Sequence, residues 1–228
     1  MRLNKVSLSD QIYQILKMEI LTNEITFGSK LVNRQLQERF EVSSSPIRDA
    51  INRLYQDGLI SAIDNTGATV VDFDFNFFLE VNEVLLFIVI TGIRLSFEKS
   101  DIDEVCKDLE KYIILQEKHI NTDEFFDYDY KFHKVFLDHS HNSRLKKLFK
   151  EYNVLYEMLV RNYFHLEKSD LQKESIEMHK KIKQAFSKGD IALASELAEK
   201  HYKSAEDIFR YFQSKDNNDD KMLVSTND

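Results

Sequence analysis

The chain has 228 residues and a formal net charge of −8, with five glycines, one proline and one cysteine. This length suits one large or two small domains, and 43% hydrophobic residues are enough for ordinary cores. The single cysteine excludes an internal disulfide framework, and the acidic balance argues against indiscriminate binding to nucleic acid. The longest apolar run, Val84 to Ile90, is too short to span a bilayer, and no signal peptide is recognisable. We therefore expect a cytoplasmic protein without a membrane partner.

The first 72 residues contain the pattern of a small helical fold that ends in a hairpin. Apolar residues at helical spacing predict a first helix over residues 7–22. A short second helix is predicted over residues 33–40, followed by a tight turn. Residues 59–63 and 68–71 have the composition of two strands, and the four residues between them are typical of a turn.

A third helix is predicted to begin close to Pro46, the only proline in the chain. Proline is tolerated in the first turn of a helix, and the serines that precede it favour an N-cap. One apolar face is formed by Ile47, Ala50, Ile51 and Leu54. Arg48 and Asn52 fall outside that face, so the polar side of this helix suits insertion into a DNA groove. Helix, turn, helix and hairpin together predict a winged helix-turn-helix.

At these residues the chain resembles the GntR family of bacterial transcription factors, over about residues 8–72. The matching positions are Phe27–Leu31, Arg34, Leu36, Val42, Ser43, Pro46–Ile51, Leu54, Gly58–Ile60 and Gly67. The resemblance implies that a double-stranded DNA operator is the partner. We expect Arg34 and Arg48 to contact phosphate or guanine. Further expected contacts are Ser43, Ser44, Ser45 and Asn52 on phosphates or base edges, and Thr66 and Gly67 in or near the minor groove.

Two positions depart from the usual pattern of this family. Ser44 stands where members commonly carry an arginine, and Thr66 stands where the wing usually carries a basic residue. Residues 1–72 hold eight basic and nine acidic side chains, a formal charge of −1, which leaves −7 for the remainder. Focused local charge must therefore supply DNA binding, and we expect an unusual operator or weaker binding.

The rest of the chain shows only helical patterns, so the predicted fold class is mainly α. We expect a winged helix-turn-helix domain over residues 1–72 and an all-α helical bundle over residues 77–213, with about six helices. The polar residues 214–228 are expected to form a disordered tail. Breaks between helices are predicted near residues 100–101, 121–123, 141–143, 169–170 and 187–190. The run Val84–Ile90 predicts a helix that is buried on both faces, one of which is a candidate subunit contact.

Four residues of the second region have a spacing that is typical of a metal site. Asp129 and His133 are four residues apart on one predicted helix, so their side chains project together. His179 lies 10 residues before Gly189 and His201 lies 12 residues after it. Because two helices joined by a short turn run antiparallel, these two imidazoles are expected to face each other. If the helix that carries Asp129 and His133 packs on this hairpin, the four side chains come together.

This second pattern resembles the FCD effector domain that follows the winged helix in the FadR-like subgroup of the GntR family. The match covers about residues 77–212 and includes Phe132, Asn142 and the Gly189-Asp190 turn. The resemblance implies a divalent metal (Zn, Ni or Mn) held by Asp129, His133, His179 and His201. It also implies a small organic acid as effector, bound at the metal. Leu85 and Val89 stand where the family commonly carries charged residues, so we expect a different pocket or dimer contact.

The function that the sequence favours is a ligand-responsive DNA-binding transcriptional regulator, with repression as the favoured direction, which acts as a homodimer and is not an enzyme. Two alternatives stay open at this point. One is a metal-dependent hydrolase. Against it, the sequence shows no evident general base or nucleophile, and the winged helix would be unexplained. The other is a winged helix that binds protein instead of DNA, suggested by the missing arginine at Ser44.

Overall fold

The structure is a computed structural model that describes residues 6–72, 75–163 and 168–224. These residues form nine α-helices and one three-stranded sheet, so the predicted mainly-α fold class is confirmed. The elements in chain order are α1 Leu8–Leu21, β1 Lys30–Val32, α2 Asn33–Phe40, α3 Ser44–Gln56, β2 Ile60–Ile63, β3 Gly67–Val70, α4 Phe75–Lys99, α5 Ile102–Lys118, α6 Glu124–His139, α7 Ser143–Tyr163, α8 Lys168–Ser187 and α9 Ile191–Val224.

The chain divides into two compact units. The first comprises Met1–Asp74 together with Val154–Asn162, and the second comprises Phe75–Asn153 together with Tyr163–Asp228. The segment Val154–Asn162 belongs to α7, which the sequence analysis places wholly in the second domain. Within the first unit, the side chain of Leu155 lies against Gly58, where an added Cβ would meet its methyl carbons at 3.4 Å.

The three helices of the first unit bury the apolar stripes that the sequence predicts. Ser7 caps α1 and forms a reciprocal capping box with Asp10, so this helix begins within one residue of its predicted start. α3 begins after Ser43, and its buried residues are Ile47, Ala50, Ile51 and Leu54. α1 and α2 both pack against α3. The polar side of α3 therefore remains at the surface of the unit.

The sheet of the first unit contains one strand that the sequence analysis missed. Its antiparallel order is β1-β3-β2, and Ala68 of β3 pairs with Leu31 on one side and with Ile63 on the other. β1 has only three residues, too few to show an alternating pattern, and its pairing partner lies far away in the sequence. Tertiary pairing alone therefore defines this strand.

The second unit is a helical bundle built around phenylalanines. α4 packs against α6 and α9, α5 packs against α6 and α8, and α8 packs against α9. Its fully buried aromatic side chains are Phe78, Phe132, Phe136, Phe149, Phe186 and Phe209. Gly92 permits a close approach of α4 to α6, because an added Cβ would lie 2.9 Å from a methyl carbon of Leu137. This packing fixes α6 beside the α8–α9 pair.

Helix α4 is buried on one face and extends well beyond the apolar run from which the sequence predicts it. The sequence predicts burial on both faces of Val84–Ile90, but Phe87 is 73% exposed, because α6 and α9 cover only one face of α4. In the single chain one face of this run is thus buried and the other is exposed, and the exposed face is the one available as the predicted subunit contact. The full 25-residue helix is long and apolar enough to cross a bilayer, although the apolar run inside it is short. Its buried residues, among them Leu85 and Val89, pack inside the bundle as those of a core helix do.

The α8–α9 hairpin positions the last two predicted metal ligands. Gly189 adopts a φ of +75° at the turn, and Asp190 donates its backbone N–H to the carbonyl of Ala185 at 3.0 Å. α9 then continues to Val224, eleven residues into the segment 214–228 for which the sequence predicts disorder. The last four residues of that segment lie outside the described residues. The break predicted near residues 169–170 is not found there, because these residues already belong to the first turn of α8, which begins at Lys168.

Candidate metal centre and candidate DNA-binding surface

Four side chains from three helices converge inside the second unit. α6 contributes Asp129 and His133, α8 contributes His179 and α9 contributes His201. One potential ligand atom from each residue lies within 4.8 Å of the ligand atoms of the other three. The Nε2 atoms of His179 and His201 are 3.3 Å apart, which is the cross-hairpin pairing that the sequence predicts.

The three imidazoles are held in the form that binds metals. Burial is the main cause that lowers the pKa of His133 and His179 well below 6.5, and the neighbouring His201 lowers both further. Burial also lowers the pKa of His201 to about 4. All three rings are therefore neutral at pH 7, with a lone pair available on one nitrogen each.

Hydrogen bonds within the protein leave this cluster incompletely satisfied. The Nδ1 atom of His133 is buried and has no hydrogen-bond partner among the described residues. Its Nε2 atom is 3.9 Å from Oδ2 of Asp129, too far for a hydrogen bond. Three neutral imidazoles and one carboxylate are a ligand set that suits a divalent transition metal, so the residues present fit the implied ion.

Side chains that surround the cluster orient two of its members, His179 and Asp129. Gln116 bonds both His179 and Asp129, and Ser175 donates its hydroxyl to Oδ1 of Asp129 at 3.3 Å. The ring of Phe132 stacks on His179 with centroids 3.8 Å apart. The sequence analysis missed Gln116, although a polar residue that continues the buried stripe of α5 (Val105, Leu109 and Ile113) was a usable signal.

The polar side of α3 presents most of the side chains that the sequence predicts for DNA. Ser43 is the N-cap residue of α3, without a side-chain cap bond. Ser45, Arg48 and Asn52 are exposed, whereas Ser44 is half-buried. The first turn of α3 is thus accessible to a ligand, with one guanidinium next to it.

Most cations of the first unit are paired with acids inside that unit. The pairs are Lys17–Asp57, Lys30–Asp64, Arg34–Glu38, Arg39–Glu19 and Arg53–Asp10. Arg53 also stacks on the ring of Tyr13, with its guanidinium carbon 4.0 Å from the ring centroid. Among the described residues up to 72, Arg48 is the one cation without an acidic partner in ion-pair distance. Arg34 is strongly exposed, so its pair with Glu38 is weak and can be exchanged for a phosphate.

The wing turn is organised by a carboxylate. Asp64 accepts hydrogen bonds from the backbone N–H of Thr66 at 2.7 Å and of Gly67 at 3.0 Å. The Lys30 ammonium, followed by the bonds from Thr66, holds the pKa of Asp64 well below its usual range. Gly67 is buried, and an added Cβ would lie 1.9 Å from the carbonyl oxygen of Leu31. A glycine is thus required at position 67 by the close approach of β1 to β3. The exposed side chains at the turn are those of Asp64, Asn65 and Thr66.

A winged helix-turn-helix joined to a helical bundle with an internal histidine–aspartate cluster defines a class of DNA-binding regulators with a sensor domain. The family model described as "Bacterial regulatory proteins, gntR family" matches residues 8–70, and the FCD domain model matches residues 91–204. The chain therefore belongs to the GntR family and carries an FCD domain. These families consist of regulatory proteins and not of enzymes.

Curated relatives and solved structures agree with this assignment. The HTH-type transcriptional regulator YdhC of Bacillus subtilis is 31% identical over 149 residues, 64% of this chain and 66% of that protein. The gluconate operon transcriptional repressor of the same organism is 29% identical over 61% of this chain and 59% of its own length. The matched stretch is thus shorter than two thirds of these relatives.

Two solved structures share the fold across nearly the whole chain. E. coli McbR/YncC is similar with a TM-score of 0.70 and 19% identity, and the match covers 91% of this chain and 99% of that one. A GntR regulator from Rhodococcus sp. RHA1 is similar with a TM-score of 0.68 and 15% identity, over 88% of this chain and 96% of that one. At these identities the likeness concerns the fold alone.

The buried histidines predict that the metal-free protein loses stability in mild acid. The pKa of a histidine in the unfolded chain is about 6.5, so above this pH the ring is neutral in both the folded and the unfolded state. Burial of the ring therefore gives the free energy of unfolding no pH dependence in that range. Below that pH the unfolded chain binds protons that His133 and His179 do not, so the free energy of unfolding falls. For each such histidine, the slope of the free energy of unfolding against pH approaches about 1.4 kcal/mol per pH unit.

Denaturant unfolding in EDTA at about pH 7.5, 6.5 and 5.5 measures this slope. The variant His179→Gln removes one contribution and should show a shallower slope than the wild type. Equal free energies of unfolding across this range would contradict the assignment of neutral, buried imidazoles.

Proposed function

We propose that this protein is a cytoplasmic, ligand-responsive transcriptional regulator, and that α3 of its winged helix reads an operator in double-stranded DNA. The exposed polar N-terminal half of α3 carries this proposal, because helix N-termini in the major groove contact base edges and phosphates. Repression is the favoured direction of regulation, since one matched relative is named as an operon repressor.

Arg48 has the leading role in this proposal. It is exposed and has no acidic partner among the described residues, so binding DNA breaks no ion pair of this side chain. Arg34 is the second contact and acts on phosphate. Ser43, Ser45 and Asn52 add hydrogen bonds to phosphates or base edges, and Thr66 serves the wing. Ser44 is a weaker contact, because it is half-buried.

Arg48→Ala should abolish specific DNA binding while the fold is retained. A bidentate arginine contact discriminates between bases by about 1–3 kcal/mol, so the loss should be largest on the preferred sequence. Arg34→Ala is the matched comparison, and it should weaken binding about equally on all sequences, as a phosphate contact does. Electrophoretic mobility shift on DNA upstream of the protein's own gene, against unrelated DNA, measures both effects. Normal specific binding by Arg48→Ala would mean that α3 is not the reading helix.

We further propose that the protein acts as a homodimer on a near-palindromic operator. One α3 helix covers only a few base pairs, so two-fold symmetry raises affinity and matches two half-sites. The exposed side of α4 around Phe87 is the candidate contact, because a large aromatic side chain at the surface of an apolar helix favours a second copy. Analytical ultracentrifugation should give a dimer at micromolar concentration. A monomer that binds a single asymmetric half-site tightly would contradict this proposal.

We infer that Asp129, His133, His179 and His201 bind one divalent metal, with Zn, Ni or Mn as the candidate ions. Their convergence inside the bundle and the neutral state of the imidazoles support this inference. When bound, the ion supplies a Lewis-acidic position for an oxygen ligand, so a small organic acid is the proposed effector class. The residues of the chain hold the ion through neutral nitrogens and one carboxylate, and the bundle keeps bulk water away from His179.

The effector is proposed to change operator affinity through this site. A coupling free energy of about 1–3 kcal/mol would alter DNA affinity roughly 5–150-fold. The coupling requires that effector binding favours one of two conformations of the protein with different DNA affinity. The alternative of metal-dependent hydrolysis has no supporting observation, because the matched families are regulators.

Metal analysis of protein purified from metal-replete medium should give about one ion per chain. His179→Ala should lower this content and abolish the response to organic acids, while ligand-free DNA binding is retained. His139→Ala is the matched control, since His139 lies outside the cluster and contacts Asp108 at 2.9 Å. Metal-free protein whose melting temperature is unchanged by Zn²⁺, Ni²⁺ or Mn²⁺ would reduce the cluster to a polar core.

A further inference from the structure

Gln116 is a buried polar side chain between the two halves of the candidate metal centre. It lies in the last full turn of α5 and is 0% exposed. Its Oε1 atom is 2.9 Å from Nδ1 of His179, and its Nε2 atom is 3.2 Å from Oδ1 of Asp129. One amide thus contacts two proposed metal ligands that belong to different helices.

The orientation of this amide follows from the charge of its neighbour. An ionised carboxylate only accepts hydrogen bonds, so the NH₂ group of Gln116 must face Asp129. The carbonyl oxygen of the same amide then faces His179, and it can only accept. Nδ1 of His179 must therefore carry the proton, and the lone pair is on Nε2. That Nε2 atom is 3.3 Å from Nε2 of His201 and 3.7 Å from Oδ1 of Asp129, on the side where the ligands converge.

We propose that Gln116 is a positioning residue that fixes the tautomer and ring orientation of His179 for metal binding. This inference rests on the proposed metal site. A histidine ligand whose second nitrogen donates to an acceptor is held in the correct tautomer, and loss of such a partner typically weakens metal affinity about 10–100-fold. Asp129 keeps the bond from Ser175 when Gln116 is removed, so the main effect acts through His179.

A zinc titration with a chelating dye as competitor tests this role on the full-length protein. Gln116→Leu keeps an apolar side chain of similar size and should weaken Zn²⁺ binding by about 10–100-fold. Gln184→Leu makes the same change at an exposed position of α8 and should bind Zn²⁺ as the wild type does. Equal Zn²⁺ affinities of Gln116→Leu and the wild type would overturn the proposal.

The tautomer itself gives a readout that simple loss of packing would not move. Nitrogen-15 NMR of the metal-free, histidine-labelled protein should show His179 protonated at Nδ1 in the wild type. Gln116→Glu retains an acceptor for that proton and should keep this tautomer, whereas Gln116→Leu should lose it. A wild-type ring protonated at Nε2 would overturn the inference even if Zn²⁺ binds. If the wild type binds no Zn²⁺, the proposed metal site fails instead, and the tautomer measurement still reports on the amide.

Discussion

The enclosure of three neutral imidazoles beside one carboxylate, with His133 and His179 buried and His201 half-buried, is the constraint on which the second unit depends. Each ring loses hydration when it is buried, and only part of that loss is offset by hydrogen bonds, since Nδ1 of His133 has no partner among the described residues. A bundle built for stability alone would place apolar side chains at these positions. The proposed metal binding would explain why α6, α8 and α9 all direct polar side chains to one point.

In the first unit, ion pairs within the protein compete with DNA phosphates for the same positively charged side chains. Five of its described cations are paired with acids of the same unit, and three of these pairs join α1 to α2 or α3: Glu19–Arg39, Asp10–Arg53 and Lys17–Asp57. Such pairs hold the helices in register but cancel positive charge near α3, the helix proposed to read DNA. We therefore expect weak non-specific attraction to phosphates, with specificity supplied by a few directed contacts.

The parts of this structure that depend on local patterns could be predicted from the sequence. The limits of α1, the start of α3, the number of helices in the bundle and the facing of His179 and His201 all follow from caps, periodicity and one short turn. The parts that depend on distant pairing could not. β1 exists only through β3, Phe87 is exposed because no described helix covers it, and the role of Gln116 requires knowing what α5 packs against.

The candidate centre consists of two pairs that are each local in the chain, and this has a consequence for the order of folding. Asp129 and His133 are joined within one helix, and His179 and His201 within one hairpin, so each pair forms when its own element forms. Between the pairs lie the 45 residues from 134 to 178, whose ends must meet before four ligands are available. An ion bound by all four would act as a reversible cross-link that closes this loop. Metal release would then accompany separation of α6 from the α8–α9 hairpin, well before either element loses its helices.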